Sequence, residues 1–258
     1  MPSRSRMQIE PWWTESTGAI GYLVLDRVTR TCALIDCARE VSTTPAAQEL
    51  AARIVARVRQ LGAELAWLLQ TRMRADQLAA AAELLRQLGG RLGAGAADAT
   101  AVQTWGDADG GTAVGAGCGA CHHYADGEVF GLGGLEVRVL HTPGHASDGV
   151  TYVVSDGPGG GADMAAFVGD LLCMPDRGTA CCDPAGGDPR RLFRSINRVL
   201  SLPPATRIYV SHDCPPATRD FEFVSTVAEQ RRSNIHVRDG IGEAAFVTLR
   251  CRLDTRVH

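Results

Sequence analysis

The stretch Leu140-His141-Thr142-Pro143-Gly144-His145 ends an apolar strand with a Pro-Gly turn that delivers a histidine. A histidine at a strand end after a tight turn has a fixed backbone and a free ring, which is how rigid folds present metal ligands. Two further apolar segments end in polar residues, at Gly169-Asp170 and at Ser211-His212-Asp213. A single turn histidine is more often a hydrogen-bonded residue than a ligand. Three such strand ends together indicate a site.

The composition is that of a globular protein large enough to bury a core. The chain has 258 residues, 45% of them apolar, and a net charge of -3 with arginines spread along its length. This balance predicts no nucleic-acid partner, and the absence of a long apolar run predicts no membrane partner. The chain has nine cysteines, an odd number, and its first residues do not form a secretory signal. Both observations predict a cytoplasmic protein whose thiols are reduced.

Apolar periodicity predicts strands and helices that alternate in two halves. The first half contains strands over 18–25, 31–36 and 65–69, a helix that begins at Pro45, and a helix over 78–88. The second half contains strands over 135–140, 150–154, 166–168 and 207–210, a helix after Asp188-Pro189, and helices over 224–234 and 242–253. We interpret 93–127 as a long connection with at most a short strand. This order predicts an α/β fold of two packed sheets with helices outside.

Six segments carry a resemblance to a known family: His141–His145, Phe167–Asp170, Gly178–Asp183 with Gly186–Asp188, Ser211–Asp213, Ser225–Arg231 and Asn234–Val237. They resemble the metallo-β-lactamase fold, a four-layer αβ/βα sandwich, and within it the branch of glyoxalase II and the persulfide dioxygenases. The similarity runs from about residue 18 to residue 254. It implies a single domain over 18–258, preceded by an N-terminal extension over 1–17.

The chain departs from this family at the loop after the strand 65–69. There the family has a His-x-His-x-Asp-His motif that supplies much of its metal site. This sequence has Thr71-Arg72-Met73-Arg74-Ala75-Asp76-Gln77. The resemblance maps Arg72 and Arg74 onto the first two histidines, Asp76 onto the aspartate and Gln77 onto the last histidine. Three ligands are replaced.

The resemblance also implies which metal ligands remain. In a persulfide dioxygenase the iron is held by the first loop histidine, the Pro-Gly-His histidine and the Gly-Asp aspartate. Carried over, this triad is Arg72, His145 and Asp170, and arginine has no lone pair to offer a metal. A binuclear hydrolase site keeps His145 and Asp170 in one half, and Asp76, Asp170 and His212 in the other. The residual ligands are therefore His145, Asp170, His212 and Asp76.

Two arginines that enter a space lined by carboxylates and histidines would restore the charge balance of a metal. We predict that Arg72 and Arg74 pair with Asp76 and Asp170, fill the metal position and leave no cofactor. One alternative is that both arginines point to solvent. A second is that the residual ligands still hold one iron or zinc ion, with open positions for water.

Three cysteines stand at positions that the resemblance places in the pocket. Cys181 stands where the family usually has an arginine, Cys182 follows it, and Cys214 replaces a tyrosine that follows the His-Asp pair. A cluster of these thiols near the loop arginines would favour thiolates and handle sulfur. The alternative is that small residues are tolerated at these positions after a loss of function.

The string Cys118-Gly119-Ala120-Cys121-His122-His123 matches a haem-attachment motif and half of a zinc site. Covalent haem needs an exported protein, and the string alone is short of zinc ligands, so we interpret it as part of a flexible loop. His141 alternates away from His145, and we predict a structural role for it.

The sequence thus predicts a non-catalytic or metal-independent relative that binds a small thiol, a persulfide or an anion. One alternative is a hydrolase or dioxygenase that retains one metal. Another is an interaction subunit that forms a homodimer or partners an active homologue. The candidates for residues that perform chemistry are Arg72, Arg74, Asp76, Cys181, Cys182 and Cys214.

Overall fold

The computed structural model of the chain describes residues 5–13, 18–37, 45–73, 77–96, 121–157, 163–184 and 186–255. These residues form two sheets of six strands each, with helices packed outside them. The first sheet follows chain order: β1 (Met7–Trp13), β2 (Ile20–Asp26), β3 (Thr31–Ile35), β4 (Glu64–Gln70), β5 (Arg91–Gly95) and β6 (His122–Tyr124). Strands β1 to β3 are antiparallel, and β3 to β6 are parallel.

The second sheet has the order β12-β11-β10-β9-β8-β7. Its strands are β7 (Val129–Leu132), β8 (Leu135–His141), β9 (Val150–Ser155), β10 (Met164–Phe167), β11 (Arg207–Tyr209) and β12 (Val224–Thr226). All neighbours are antiparallel except β10 and β11, which are parallel. The helices are α1 (Pro45–Gln60), α2 (Leu78–Leu88), α3 (Pro189–Leu200), α4 (Val227–Ser233) and α5 (Glu243–Asp254).

The central strands β2 and β3 of the first sheet are buried on both faces, because they carry apolar residues at nearly every position. In β2, Tyr22 and Val24 point into the core between the sheets, whereas Leu23 and Leu25 point outward to α1 and α2. This alternation follows from the two-residue period of a strand. Leu192 of α3 and Phe246 of α5 join the cluster that contains the second sheet. The predicted four-layer αβ/βα sandwich is confirmed.

The N-terminal boundary differs from the expectation that residues 1–17 form an extension. Strand β1 pairs with β2 along its whole length, from Met7 opposite Asp26 to Trp13 opposite Ile20. Met7 is 4% exposed and belongs to the main core. The fully buried Asp26 also accepts two hydrogen bonds of 2.8 Å from Arg6. The edge strand is therefore part of the domain.

Two other segments differ from the sequence prediction. The connection predicted over 93–127 contains β5 and β6, and β7 follows it. The β5 sequence Arg-Leu-Gly-Ala-Gly has neither β-branched nor aromatic residues, so propensity does not mark it as a strand. The helix predicted over 224–234 begins only at Val227, because Val224–Thr226 forms β12 and Thr226 caps α4 in a capping box with Glu229.

The ends of α3 follow the prediction. Asp188 accepts hydrogen bonds from the backbone N–H groups of Arg190 and Arg191, and Pro189 occupies the first turn.

Among the described residues, no helix combines the length and apolar character needed to cross a membrane.

Replacing Met7 by alanine tests whether β1 is part of the core. We expect Met7→Ala to lower the free energy of unfolding by about 2–4 kcal/mol, because it removes a buried side chain and leaves a cavity. Chemical denaturation monitored by circular dichroism measures this change. Val28→Ala serves as the control, since Val28 is 71% exposed. Equal stability of the two variants would mean that β1 does not pack.

Candidate functional site

The loops that follow β4, β8, β10 and β11 meet at one end of the sandwich. Thr71 begins the loop after β4, and its N–H and hydroxyl both donate to the carboxylate of Asp36, at 2.9 and 2.7 Å. Its carbonyl accepts from Val150 N of the second sheet, at 2.8 Å. Gly169 has a φ of 57°, and a Cβ there would lie 2.4 Å from Thr71 Oγ1. Thr71 therefore anchors the loop against both sheets.

Arg72 follows this anchor and lies inside the pocket. Its Nη2 donates to Asp183 Oδ2 in a very short contact, and its Nη1 lies 3.1 Å from His145 Nε2. Its Nε lies 3.9 Å from Asp148 Oδ1, whose carboxylate also accepts from Met73 N at 2.9 Å. The Arg72 side chain is 21% exposed. The interpretation that Arg72 points to solvent is therefore wrong.

The carboxylate that pairs with Arg72 was not the one expected. The prediction named Asp76 and Asp170 as its partners, whereas the structure brings Asp183 onto the guanidinium. The reason is backbone geometry, because Asp183 N donates to the carbonyl of His145 at 2.8 Å and so brings its side chain to the same place. Arg74 and Asp76 lie outside the described residues, and their predicted pairing stays a prediction.

His145 is held from both sides. Its Nδ1 lies 2.6 Å from the carbonyl oxygen of Cys181, so Nδ1 carries a proton and donates. Because a guanidinium has donors only, Nε2 accepts from Arg72. Burial lowers the pKa of His145, but its hydrogen bonds to Cys181 and the negative charge of Asp170 outweigh burial and raise the pKa. The ring is thus fixed in orientation.

Asp170 lies between the two histidines. Its Oδ2 is 3.8 Å from His145 Nε2, and its Oδ1 is 3.7 Å from His212 Nδ1. Ser211 donates to Oδ1 at 2.9 Å. The structure therefore brings together three of the four predicted residual ligands, and the fourth, Asp76, lies outside the described residues. His212 is the most open of them, with 41% of its side chain exposed.

These described residues do not fit an iron or zinc ion of the kind that the family uses. A metal ion would bind His145 at Nε2. The carboxylate of Asp170 would then have to place an oxygen within about 2.2 Å of the ion, as carboxylate ligation requires. Instead, the Arg72 guanidinium is hydrogen-bonded to that nitrogen. Among the residues that the structure describes, no three or more His, Cys, Asp or Glu side chains are grouped to hold a metal.

The three predicted thiols have different environments. A hydrogen bond to His145 lowers the pKa of the half-buried Cys181. Cys182 packs against the core, and burial and the nearby Asp254 raise its pKa to about 12. Cys214 is exposed, and its Sγ would lie 3.7 Å from a Cβ at Gly18. The thiol that the structure couples to the site is Cys181.

Two other histidine predictions have mixed outcomes. His141 Nε2 lies 3.0 Å from the Tyr124 carbonyl, which confirms a structural role. The string over 118–123 is not simply a loop, because His122 lies in β6 and forms a 3.0 Å contact with Glu128 Oε1. Cys118 lies outside the described residues.

Sequence reasoning missed three carboxylates that shape the site: Asp36, Asp148 and Asp183. Asp183 stands in a segment that carried the family resemblance, so its position could have drawn attention to it. Asp36 is the last residue of the predicted strand 31–36 and has a positive φ of 54°, which Asp tolerates. Asp148 follows the Pro-Gly-His turn and has no signal of its own.

A double-mutant cycle measures the pairing of Arg72 with Asp183. We expect Arg72→Met and Asp183→Asn to be non-additive by about 1–3 kcal/mol in urea denaturation, because each change removes the same partly buried ion pair. The same cycle on the exposed pair Arg86 and Glu83 is the control and should give a smaller coupling. Additive effects at Arg72 and Asp183 would contradict the ion pair.

The reactivity of the adjacent thiols tests their environments. Because the pKa of Cys181 is lowered and that of Cys182 is raised to about 12, iodoacetamide should alkylate Cys181 first as pH rises. Peptide mapping by mass spectrometry measures both rates in one sample. A His145→Ala variant should slow the alkylation of Cys181 and leave Cys182 unchanged. Faster alkylation of Cys182 in the unmodified chain would contradict this assignment.

Comparisons with known proteins find relatives along nearly the whole chain. It is 40% identical over 259 residues to a probable metallo-hydrolase of Burkholderia pseudomallei, covering 96% of this chain and 86% of that protein. It is 30% identical over 260 residues to glyoxylase B2 of Dictyostelium discoideum, with coverages of 98% and 86%. No family model matches the chain.

Solved structures share the fold at lower identity. The crystal structure of ETHE1 from Myxococcus xanthus aligns with a TM-score of 0.72 at 24% identity, over 96% of this chain and 92% of that one. A metallo-beta-lactamase from Staphylococcus aureus aligns with a TM-score of 0.73 at 18% identity, over 96% and 67%. With its relatives and its four-layer architecture, the chain belongs to the metallo-β-lactamase superfamily.

Proposed function

We propose that this protein is a metal-independent member of the superfamily, in which the Arg72 guanidinium takes the place of a metal and the pocket binds a small thiol, persulfide or anion. The observation that carries this proposal is the seat of Arg72 on His145 Nε2 and on the Asp183 carboxylate. Imidazole nitrogen and carboxylate oxygen are the donors that iron and zinc use. In this chain, these two kinds of atom accept hydrogen bonds from the Arg72 guanidinium instead.

The ion pair between Arg72 and Asp183 opposes the entry of a metal ion at His145. The Arg72 and Asp183 side chains are 21% and 23% exposed, so both charges are largely removed from water. Breaking a buried pair by removing one partner costs about 3–5 kcal/mol. A metal that took His145 Nε2 would displace Arg72 and bear part of that cost. Arginine also keeps its charge at every physiological pH, so it balances the carboxylates permanently.

The side chains that face the open part of the pocket support a small sulfur-containing or anionic ligand. His212 is 41% exposed beside Asp170 and can donate to such a ligand. Cys181 is half-buried next to His145, which supports an approach by a thiol or a persulfide. The identity of the ligand is part of the proposal.

A second candidate function is a hydrolase or dioxygenase that retains one metal. It draws on the proximity of His145 and His212 to Asp170, at 3.8 and 3.7 Å. Asp76 would complete that donor set. The names of the relatives, a probable metallo-hydrolase and a glyoxylase, favour the same candidate. The position of Arg72 disfavours it.

A homodimer or a partnership with an active homologue also stays a proposal, which light scattering of the purified protein tests.

Metal content separates the two candidates. The protein is expressed with iron and zinc supplied, purified without chelator and assayed by elemental analysis. We expect metal well below one ion per chain, and no gain from Arg72→His alone, because the remaining loop positions supply no further histidine. The triple variant with Arg72, Arg74 and Gln77 all changed to histidine should gain metal.

The control is Arg86→His, which adds a histidine at an exposed helical position away from the site. It should leave the metal content unchanged. Stoichiometric iron or zinc in the unmodified chain would overturn the proposal and favour the single-metal enzyme. Oxygen consumption with glutathione persulfide and hydrolysis of thioesters would then identify the reaction.

A further inference from the structure

The loop over Gly178–Asp183 supplies two of the contacts that form the candidate site. The carbonyl of Cys181 fixes the His145 ring, and the carboxylate of Asp183 pairs with Arg72. This loop has little regular structure of its own apart from a single bridge between Thr179 and Leu172. Its position therefore depends on the side chains that hold it from behind.

His236 holds the start of this loop. Thr179 N donates to His236 Nδ1 at 3.0 Å, and Thr179 Oγ1 lies 3.2 Å from the same nitrogen. The ring lies flat enough against Gly178 that a Cβ there would come within 2.2 Å of Nδ1. Gly178 has a φ of 82°, which glycine adopts readily. The contact thus requires both the glycine and an imidazole that accepts.

The elements behind His236 are polar and mostly uncharged. Asn234 is fully buried, donates to the Gly178 carbonyl at 3.0 Å and accepts from His236 N at 2.8 Å. Gln230 of α4 accepts from Asn234 at 2.7 Å and carries no charge. This arrangement fixes the backbone of His236 beside the start of the loop.

The charged groups near His236 come from α5. Arg250 is 5% exposed and donates to the carbonyls of Thr179 and Ala180, at 3.2 and 3.0 Å. Its Nε donates to Asp254 at 2.9 Å, and Asp254 also accepts from Cys182 N at 3.4 Å. A positive charge on His236 would therefore lie near the buried guanidinium of Arg250, with Thr179 between them.

We propose that His236 is a pH-sensitive latch, which holds the loop over Gly178–Asp183 when its imidazole is neutral and releases the loop when it is protonated. The backbone N–H of Thr179 can only donate, so Nδ1 must be unprotonated for the bond to exist. Protonation places two donors face to face and adds a charge beside Arg250. The hydrogen bond from Thr179 N and the imidazolium are therefore incompatible.

The direction of the pH effect follows from linkage. Burial, together with the charge of Arg250, lowers the pKa of His236 in the closed loop. In the open loop the imidazole is hydrated and has its ordinary pKa of about 6.5. The open state therefore binds more protons below about pH 6.5, and opening becomes up to about tenfold more favourable per pH unit. At neutral pH and above, this term is absent and the loop stays closed.

Release of the loop would loosen both contacts that it makes with the site. Arg250, Asp254 and the bond from Asp183 N to the His145 carbonyl still hold the rest of the loop, so the Cys181 carbonyl and the Asp183 carboxylate would lose one restraint and stay near the site. The latch itself does not depend on whether the pocket is metal-independent, since none of its groups belongs to the pocket. Acid would then loosen one wall of the pocket.

Amide hydrogen exchange of Thr179 tests the latch in the full-length chain. We expect its protection, corrected for the intrinsic exchange rate, to be constant above about pH 7 and to fall up to about tenfold per pH unit below about pH 6.5. His236→Asn places an amide oxygen near the position of Nδ1 and cannot titrate. This variant should keep the protection of Thr179 across the same range.

Two further measurements make the outcome decisive. His236→Ala removes the acceptor and should leave Thr179 unprotected at every pH. The fluorescence of the chain, which contains the 5% exposed Trp67, reports whether the fold survives at the lowest pH used. Constant protection in the unmodified chain, or the same acid transition in His236→Asn, would overturn the latch and assign the effect to another group such as His145. Metal content, which tests the proposed function, is measured separately and is not affected by either result.

Discussion

The guanidinium of Arg72 is the interaction on which the candidate site depends. Its side chain joins the loop after β4 to the loop that carries His145 and Asp148 and to the loop that carries Asp183. A single planar cation does this because it offers several donors in a fixed fork. The guanidinium lies next to the carboxylates of Asp148 and Asp183, whose negative charges it balances. The hydrogen-bond donors of Arg72 thus organise this part of the site.

That cation is positioned by the two-sheet architecture. Thr71 is tied to Asp36 of the first sheet through two hydrogen bonds, and its carbonyl is tied to Val150 of the second. Gly169 leaves space for the Thr71 side chain where any other residue would collide with it. The direction in which Arg72 leaves this anchor is therefore set before its side chain meets a partner. A flexible loop would not hold a long cationic side chain at 21% exposure.

The opposite wall of the pocket is held from outside. Arg250 and Asp254 of α5 bind the backbone of the loop that carries Cys181 and Cys182. His236 binds the same loop at Thr179, nearer the start of the loop. These residues hold the backbone on either side of Cys181, whose carbonyl contacts His145. The chemistry of the pocket is thus coupled to polar groups in a second layer, as is common where a ring must be held in one tautomer.

The amino-acid sequence alone determined the fold, the family and most of the elements. Apolar periodicity and capping residues were sufficient for α1, α2 and α3, because these signals are local. Strand β1 and the glycine-rich β5 were missed, since their pairing depends on neighbours distant in the chain. Motif spacing also predicted that His145, Asp170 and His212 come together, because each follows a strand of one sheet. The partners of Arg72 were decided only by the tertiary structure. Asp183 and Asp148 reach the guanidinium through loop geometry, and no local pattern encodes the distance between two loops.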